Sequence, residues 1–366
     1  MKKISFIIIL TSLFLVSNLS AQLGNYWTLQ ISTEGTLLSG ALVAANSNNA
    51  GFFYNPASMS SDSASSFSFN TSLFRTFFLD FKNPFGEGTE LNDISAGFDP
   101  IFFSFLIPRK NKLNVKLGVS MMGKQNTSYK ILDRIYKPNY SFPSLDSLSG
   151  DYEGTYNYIL KSSEYWVNFS VAKQVNKVFS IGATLVVAIR NLNYINATNS
   201  NYVFKYNDNQ NATASYKNLT EAYMYNYKIL GKIGAIIKLN DHSRIGITDT
   251  TSSLNVFGRG TIKRQISQTN IVALSLDTSN FNSIDQLISD YGANLKADFK
   301  SPFSISLGYN LEKGIHKFGF AVEFFNEIEP YRLIKGENIG TLINTSNSLV
   351  NEENFLSLTY GQRSIV

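Results

Sequence analysis

Apolar and polar residues alternate along most of the chain from about residue 65 onward. Within 179–189, for example, one face is apolar and comprises Phe179, Ile181, Ala183, Leu185, Val187 and Ile189. Successive side chains of a strand point to opposite faces, so a period of two predicts β-strands. Ten strands are predicted, at residues 65–80, 98–107, 113–126, 154–173, 178–197, 221–239, 245–265, 296–310, 318–332 and 355–366.

The predicted connections alternate in length along the chain. The short ones are 108–112, 174–177, 240–244 and 311–317, and the long ones are 81–96, 127–153, 198–220, 266–295 and 333–354. Short turns at one end and long loops at the other are typical of outer-membrane barrels. A soluble, secreted β-sandwich adhesin is the alternative, but a sandwich has no reason to separate its loops by length. The pattern therefore favours an all-β, transmembrane antiparallel β-barrel.

The N-terminus has the features of a secretory signal peptide over residues 1–21. Lys2 and Lys3 precede an apolar run from Ile4 to Val16, and Ala21 is a small residue suited to cleavage. No later segment offers about 18 consecutive apolar residues, the length that a spanning helix needs. The sequence thus predicts an exported chain that begins near Gln22, in the outer membrane of a Gram-negative bacterium.

Residues 22–64 lack the alternation of the later chain. A small, apolar stretch (residues 37–45) leads into an Asn-Pro-Ala sequence, Asn55, Pro56 and Ala57. Because Asn-Pro favours a turn, and the stretch is apolar enough to pack, we expect a hatch inside the barrel rather than a loose periplasmic tail. The predicted organisation is a signal peptide (1–21), a hatch (22–64) and a barrel (65–366).

The composition agrees with strands that have one lipid face and one lumen face. Only 16% of residues are charged, against about a quarter in soluble domains, while 43% are hydrophobic and 14% aromatic. The absence of Cys excludes disulfides, thiol nucleophiles and Cys-based metal sites. The formal charge of +5 falls when Lys2 and Lys3 are removed, and the other cations are scattered, so no nucleic-acid partner is expected.

Catalytic and metal-binding patterns are not found in the sequence. The two histidines, His242 and His316, fall in predicted turns without the Ser and Asp partners of a hydrolase triad. Carboxylates are dispersed and show no ligand spacing. We therefore expect no enzyme activity, no cofactor and no metal.

The stretch AANSNNAGFFYNPASMS, with Asn55, Pro56 and Ala57, resembles the outer-membrane long-chain fatty acid transporter family (FadL-like). Two strand–turn–strand stretches, 232–247 and 301–325, are also similar to hairpins of that family. The resemblance implies a monomeric barrel of fourteen strands, plugged by the hatch, that captures hydrophobic molecules and releases them sideways into the membrane. Because ten strands are predicted and the chain ends at Val366 rather than at an aromatic residue, we expect a barrel that is incomplete at its C-terminus, with a smaller barrel as the alternative.

Two groups of residues are candidates for ligand binding. Arg190 and Lys232 fall on inward faces, as do Lys116 and Lys228, and such cations could hold a fatty-acid carboxylate, although ordinary lumen polarity also explains them. An apolar capture groove is predicted around the first extracellular loop, from Phe77, Phe78, Phe81 and Phe85, with an interfacial aromatic belt as the alternative.

The expected function is passive, porin-like transport of hydrophobic small molecules, such as long-chain fatty acids, across the outer membrane. Its expected partners are the transported molecule and outer-membrane lipid. The alternative is a barrel-type attachment or shuttle component of a protein secretion system, with secretion proteins as partners and no transport role.

Overall fold

The computed structural model describes residues 31–45, 49–61, 65–70, 75–82, 90–97, 102–108, 115–141, 149–207, 210–270, 286–335, 341–344, 349–350 and 357–362. The predicted signal peptide, residues 1–21, lies outside the described residues, as do the first residues of the predicted hatch. The boundaries predicted for these segments therefore stay predictions.

The described part of the hatch contains one short helix, α1 (Thr33–Leu37), and two 3₁₀ turns, η1 (Ala50–Phe52) and η2 (Pro56–Ser61). The strands that follow are β1 (Ser66–Asn70), β2 (Arg75–Lys82), β3 (Glu90–Gly97), β4 (Phe102–Pro108), β5 (Val115–Ser141), β6 (Ser149–Gln174), β7 (Phe179–Asn207), β8 (Gln210–Lys238), β9 (Ser243–Thr250), β10 (Leu254–Thr269), β11 (Gln286–Ala297), β12 (Ser304–Lys313), β13 (His316–Phe325), β14 (Ile328–Lys335), β15 (Thr341–Asn344), β16 (Leu349–Val350) and β17 (Ser357–Gln362).

None of the helices in the described ranges is both long and apolar enough to cross a membrane.

Fifteen strands form one sheet, and every strand pair in it is antiparallel. Its main path is β1-β4-β5-β6-β7-β8-β10-β11-β14-β17. Each of these ten strands overlaps a predicted strand, and the predicted all-β fold is confirmed. The strands predicted at 245–265, 296–310 and 318–332 are wrong in being continuous, because each is divided into two strands in the structure. Strands β2 and β3 form a separate hairpin, so the single strand predicted at 65–80 is wrong.

Three neighbouring strands of the sheet are interrupted at one level. β9 is followed by β10 after residues 251–253, β11 by β12 after 298–303, and β13 by β14 after 326–327. Thr250 at the end of β9 pairs with Ser304, which in turn pairs with Phe325 at the end of β13. The sheet therefore has a lower part, in which β9, β12 and β13 are paired, and an upper part built on β10, β11 and β14. We call this level the strand break.

Long hairpins replace several of the loops predicted from the sequence. Residues 127–141 and 149–153, predicted as a loop, pair with each other as the ends of β5 and β6, and 198–207 pairs with 210–220 in the same way. Strands β5 to β8 contain 26 to 29 residues, whereas about ten suffice to cross a membrane. The extensions are rich in Tyr, Asn and Thr, and rings such as those of Tyr140 and Tyr152 pack across strands. Their apolar residues form one small cluster around Tyr202 and Phe204 rather than a continuous face, so hydrophobic alternation does not identify them.

The sheet has apolar side chains on its outer face and polar side chains on its inner face, the reverse of the arrangement in a soluble protein. Its outer face carries apolar side chains that are at least 40% exposed, among them Leu117, Val119, Met121, Phe169, Val171, Ile181, Leu185, Ile233, Ile237, Ile247, Ile305, Leu307, Phe318, Phe320, Val322 and Phe324. Its inner face carries buried polar side chains, including Ser104, Ser120, Asn168, Ser170, Thr184, Thr248, Ser306 and Asn310. A β-sandwich in water would place its apolar faces inside. This distribution is that of a barrel wall with lipid outside and a polar lumen inside.

The hatch lies against the inner face of the curled sheet. Six glycines, each on a different strand, lie in close contact with it: Gly118 faces Phe52, Gly182 faces Pro56, Gly234 faces Asn55, Gly246 and Gly308 face Val43, and Gly319 faces Ala41. A Cβ atom at any of these glycines would overlap the hatch. Contacts to β5, β7, β8, β9, β12 and β13 from one small segment require the sheet to curve around it.

Candidate functional site

The Asn-Pro-Ala sequence is the point at which the hatch is attached to the sheet. Asn55 is fully buried, and its Nδ2 donates to the carbonyl oxygens of Val43 (2.8 Å), Ala235 (3.1 Å) and Ile247 (3.3 Å). Its Oδ1 accepts from the backbone N–H of Ala57 at 3.0 Å. One side chain thus closes a turn of the hatch and joins it to β8 and β9, which gives the predicted hatch motif a structural role.

Three further contacts hold the hatch in place. Thr248 Oγ1 on β9 donates to the carbonyl oxygen of Tyr54 at 3.1 Å, and Lys232 Nζ on β8 donates to that of Phe53. Near the first turn of α1, Glu34 forms an ion pair of 2.8 Å with Lys317 of β13. Burial raises the pKa of the Tyr54 phenol to about 12, so this ring stays neutral in the hatch at physiological pH.

A buried ionic cluster occupies the lumen next to the hatch. Glu164 of β6 accepts from Arg190 Nη1 of β7 at 2.8 Å and from Lys228 Nζ of β8 at 3.1 Å. The three side chains are between 0% and 6% exposed. The indole Nε1 of Trp166 also donates to Glu164 at 2.7 Å, and Ser162 Oγ accepts from Arg190 Nη2 at 2.9 Å. These groups meet because β6, β7 and β8 are neighbours in the sheet and the residues lie at inward-facing positions: Glu164 pairs directly with Arg190, and Lys228 lies one inward position away on β8.

Aromatic rings cover the cations from two sides. The Phe299 ring lies 3.4 Å from the Arg190 guanidinium carbon and 5.0 Å from Lys228 Nζ. On the hatch side, the Phe53 ring lies 4.6 Å from Lys124 Nζ and 4.9 Å from Lys232 Nζ. The cations therefore occupy a layer between a hatch residue and a residue of the strand break, and cation–π attraction stabilises them there.

Positive charge exceeds negative charge in this layer. Among the described residues, the layer contains the cations Arg190, Lys228 and Lys232, whereas Glu164 is the carboxylate that forms ion pairs there. Glu323 of β13 attracts Lys232, and Asp298 attracts Lys228, from a longer distance. Buried charge of one sign favours a counter-ion, so the arrangement can accept an anion.

An apolar cluster lies on the side of the cations away from the hatch. It consists of Ala222, Met224, Ile262, Ala297, Phe299, Leu333 and Ile334. Along β8, the order from the hatch is Gly234, Lys232, Lys228 and Met224, so the cations lie between hatch and apolar cluster. A molecule with an acidic head and an apolar chain would find complementary groups at both levels.

The structure brings some of the predicted ligand residues together and separates others. Arg190, Lys228 and Lys232 belong to the one cation layer, whereas Lys116 is buried near the short-turn end of β5, paired with Pro108. The residues that the sequence interpretation missed are Phe53, Lys124, Glu164, Trp166 and Phe299. Glu164 and Lys124 share the inward phase of their strands, so alternation could have identified both. Phe299 falls within the strand predicted at 296–310, where alternation would place it on the outer face with Ile305; in the structure it follows the end of β11 and is buried.

The predicted capture groove is placed only in part. Phe77, Phe78 and Phe81 lie on β2 of the separate hairpin, and the Phe78 side chain is 76% exposed. Phe85 lies outside the described residues. A groove formed by these four rings therefore remains a prediction.

No group of three or more His, Cys, Asp or Glu side chains with metal-binding geometry occurs in the described ranges.

Comparison with known proteins finds similar structures but no similar sequence. No family model matches the chain, and no curated protein matches its sequence. The structure is similar to the crystal structure of a Pseudomonas aeruginosa FadL homologue, with a TM-score of 0.34 and 11% identity over 86% of this chain and 94% of that chain. A TM-score of this size does not by itself show a shared fold.

Proposed function

We propose that the protein is an outer-membrane passive transporter for hydrophobic small molecules with an acidic head, such as long-chain fatty acids. The observation that carries the proposal is the buried cation layer of Arg190, Lys228 and Lys232, enclosed between the hatch and an apolar cluster inside an inverted sheet. No catalytic step is involved, and substrate moves down its concentration gradient.

The outer face of β8 supports a position in the membrane. Its outward residues are apolar from Ile237 to Ile229, and Tyr227, Tyr225 and Tyr223 follow toward the long hairpins. Nine residues at about 3.3 Å per residue, tilted as barrel strands are, match the apolar height of roughly 25 Å of outer-membrane barrels. Tyrosines at the end of that span match an interfacial girdle. The long hairpins then extend to the extracellular side.

Binding in this proposal is an exchange of carboxylates. A fatty-acid head would take the place of Glu164 beside Arg190 and Lys228, or share them with it, because Arg in particular offers several donors to planar carboxylates. The chain of the ligand would lie along the apolar cluster around Met224 and Ile262. Entry then depends on displacing Phe299, which lies over Arg190.

The strand break supplies a sideways route from the lumen to the membrane. At that level the connecting segments are joined by single main-chain hydrogen bonds rather than by continuous strand pairing. Examples are the bonds from Ser253 N to Ser301 O (3.1 Å) and from Asn326 N to Phe303 O (3.0 Å). Such isolated bonds open more easily than a continuous ladder. We propose that an apolar molecule leaves here because the hatch blocks the end with the short turns.

Uptake of radiolabelled oleate tests the proposal. Cells lacking the gene are complemented with the wild type, with the double variant Arg190→Gln/Lys228→Gln, or with Lys161→Gln as a control at an exposed cation. We expect the double variant to take up oleate no faster than cells without the gene, and the control to match the wild type. Equal uptake by cells with and without the gene, for several hydrophobic substrates, would refute transport.

A role in protein secretion is the second candidate, and the long hairpins favour it. Strands β5 to β8 form a paired surface that continues well beyond a membrane span, and such a surface could attach an extracellular protein. Copurification of secretion proteins from solubilised membranes, lost when residues 130–160 are shortened and unaffected by Arg190→Gln/Lys228→Gln, would support this candidate over transport.

A further inference from the structure

Three cations lie side by side on neighbouring strands above the strand break. Arg259 of β10 pairs in register with Lys296 of β11, and Lys296 pairs with Lys335 of β14. Directly paired residues of an antiparallel sheet project from the same face. Arg259 also pairs with Tyr225 of β8, which is 42% exposed on the outer face. The three cations therefore form a row on the outside of the sheet, and we call them the outer cation row.

The outer cation row lines a cavity of ≈ 480 Å³. The cavity is lined by Asn255, Val256, Phe257, Gly258, Arg259, Lys296, Asp298 and Lys335, so three cations face one carboxylate. Among the residues that the structure describes, no ion pair involves any cation of the row. The Arg259 guanidinium lies 5.3 Å from the Phe257 ring, which leaves its donors available.

The level of the row in the membrane fits a lipid headgroup. The rings of Tyr225, Tyr227 and Phe257 lie within 5.9 to 6.4 Å of one another on the outer face, and they mark the interfacial girdle. On the membrane side of the row, Leu254 is 72% exposed and Val256 is 61% exposed. Cations at the girdle with exposed aliphatic groups beside them match a lipid whose head is anionic and whose chains follow the barrel wall.

We propose that the outer cation row binds the phosphorylated headgroup of a membrane lipid in the outer leaflet, outside the transport path. A phosphate dianion has the charge to match three cations and one carboxylate, and Arg and Lys donors suit its oxygens. The chains of the lipid would cover the exposed side chains of Leu254 and Val256 on the membrane side of the row. The proposal rests on the membrane position proposed above, and it does not depend on what the lumen carries.

Native mass spectrometry of the purified barrel in detergent tests this site. The probes are diphosphoryl lipid A, dephosphorylated lipid A, sodium oleate and inorganic phosphate. The test variant is Arg259→Gln/Lys296→Gln/Lys335→Gln, and the control is Lys130→Gln/Lys161→Gln/Lys205→Gln, which removes the same charge from exposed positions on β5, β6 and β7. Heat-modifiable migration on gels establishes that each variant is folded, and Lys335→Gln alone serves if the triple variant does not fold.

We expect diphosphoryl lipid A to bind at least tenfold more weakly to the triple variant than to the wild type, about threefold more weakly to Lys335→Gln, and equally well to the control. Equal binding by test variant and wild type would overturn the proposal, as would equal binding of dephosphorylated lipid A. Displacement by equimolar inorganic phosphate or oleate would also overturn it, because the site would then recognise a free anion or a carboxylate. Oleate uptake by the triple variant should equal that of the wild type, so failure of this inference is distinguishable from failure of transport.

Discussion

The side-chain amide of Asn55 donates a hydrogen bond of 3.1 Å to the backbone carbonyl of Ala235, which lies 180 residues later in the chain. This bond joins the hatch to β8 near the C-terminal end of that strand, and the same nitrogen also donates to the carbonyl oxygen of Ile247 on β9. Because all its partners are main-chain groups, the Asn55 side chain holds the hatch whatever side chains the strands carry at those positions.

Replacing Asn55 with Ala should loosen the hatch without unfolding the sheet. The change leaves the buried N–H of Ala57 and the carbonyl of Val43 without their partner, at a cost of about 2–4 kcal/mol for the set. Limited proteolysis of the folded barrel should then cut within residues 31–61. Asn191→Ala, at an exposed position on β7, is the control and should resist cleavage as the wild type does. Equal resistance of the Asn55 variant would show that the amide is dispensable.

Gly234→Ala should displace the hatch by steric overlap. A Cβ atom at Gly234 would meet Asn55 and the ring of Pro56 at 2.9 Å, and overpacking of this kind costs about 1–3 kcal/mol. Gly231 on the same strand is a matched control, because the nearest atom to its Cβ would be Thr251 Cγ2 at an ordinary 3.5 Å. Urea unfolding in lipid vesicles should show a lower midpoint for Gly234→Ala only. A similar midpoint for both variants would contradict the close approach.

Phe299→Ala should open the lumen to small solutes. The ring covers Arg190 at 3.4 Å and belongs to the apolar cluster above the cations, so its loss removes a barrier and a cation–π contact of about 0.5–2 kcal/mol. Single-channel recordings in planar bilayers should show larger conductance with anion selectivity. Phe318→Ala removes the same volume from the lipid face, where the ring is 58% exposed, and should leave the conductance unchanged.

Tyr54 should make the stability of the protein fall at high pH. Its folded pKa of about 12 exceeds the ordinary value of 10.0, so the folded state retains a proton that the unfolded state loses between these values. Stability from this group is complete below pH 10 and declines as pH rises from 10 to 12, by about 1.4 kcal/mol at pH 11. Urea unfolding at pH 9 and at pH 11 measures how much the free energy of unfolding falls between these values. The fall should be about 1.4 kcal/mol smaller for Tyr54→Phe than for the wild type. The same decline in both proteins would refute the burial effect.

Local alternation was enough to predict the sheet but not its dimensions. Strands such as β7 have apolar residues at every second position of their lower half, and this half was located correctly from Phe179 onward. The end of β7 beyond the predicted strand, from Thr198 to Asn207, is mostly polar apart from Tyr202 and Phe204, and it is held by pairing with two long neighbours. Pairing between distant segments leaves no mark on the local pattern, so the pattern predicts loops where the structure has paired strands.

The same reasoning explains what could be predicted of the cation layer. Arg190 and Lys232 are charged residues at inward positions of strands, and a charge at such a position is visible in the sequence. That Arg190, Lys228 and Glu164 meet depends on the register among three strands, which hydrophobic period alone does not fix. The contact of Phe299 with Arg190 depends on the turn of residues 298–303 into the lumen, which no sequence pattern indicated.

Glu164→Gln separates a binding role of the cation layer from a purely structural one. Removing the carboxylate leaves Arg190 and Lys228 buried without their counter-charge, so the free energy of unfolding should drop by about 3–5 kcal/mol. The same uncompensated charge should bind oleate more tightly than the wild type does, because the ligand no longer competes with Glu164. Isothermal titration of the purified barrel with oleate measures the affinity, and the bound ligand should restore much of the lost stability.

The double variant Glu164→Gln/Arg190→Gln is the control for this experiment. It removes one charge of each sign, so its oleate affinity should lie below that of Glu164→Gln. If Glu164→Gln bound oleate more weakly than the wild type, the carboxylate would be organising the lumen rather than occupying the place of a ligand head. If neither variant changed the affinity, the cation layer would serve the packing of the hatch alone, and the acidic head assigned to the substrate would have to be given up.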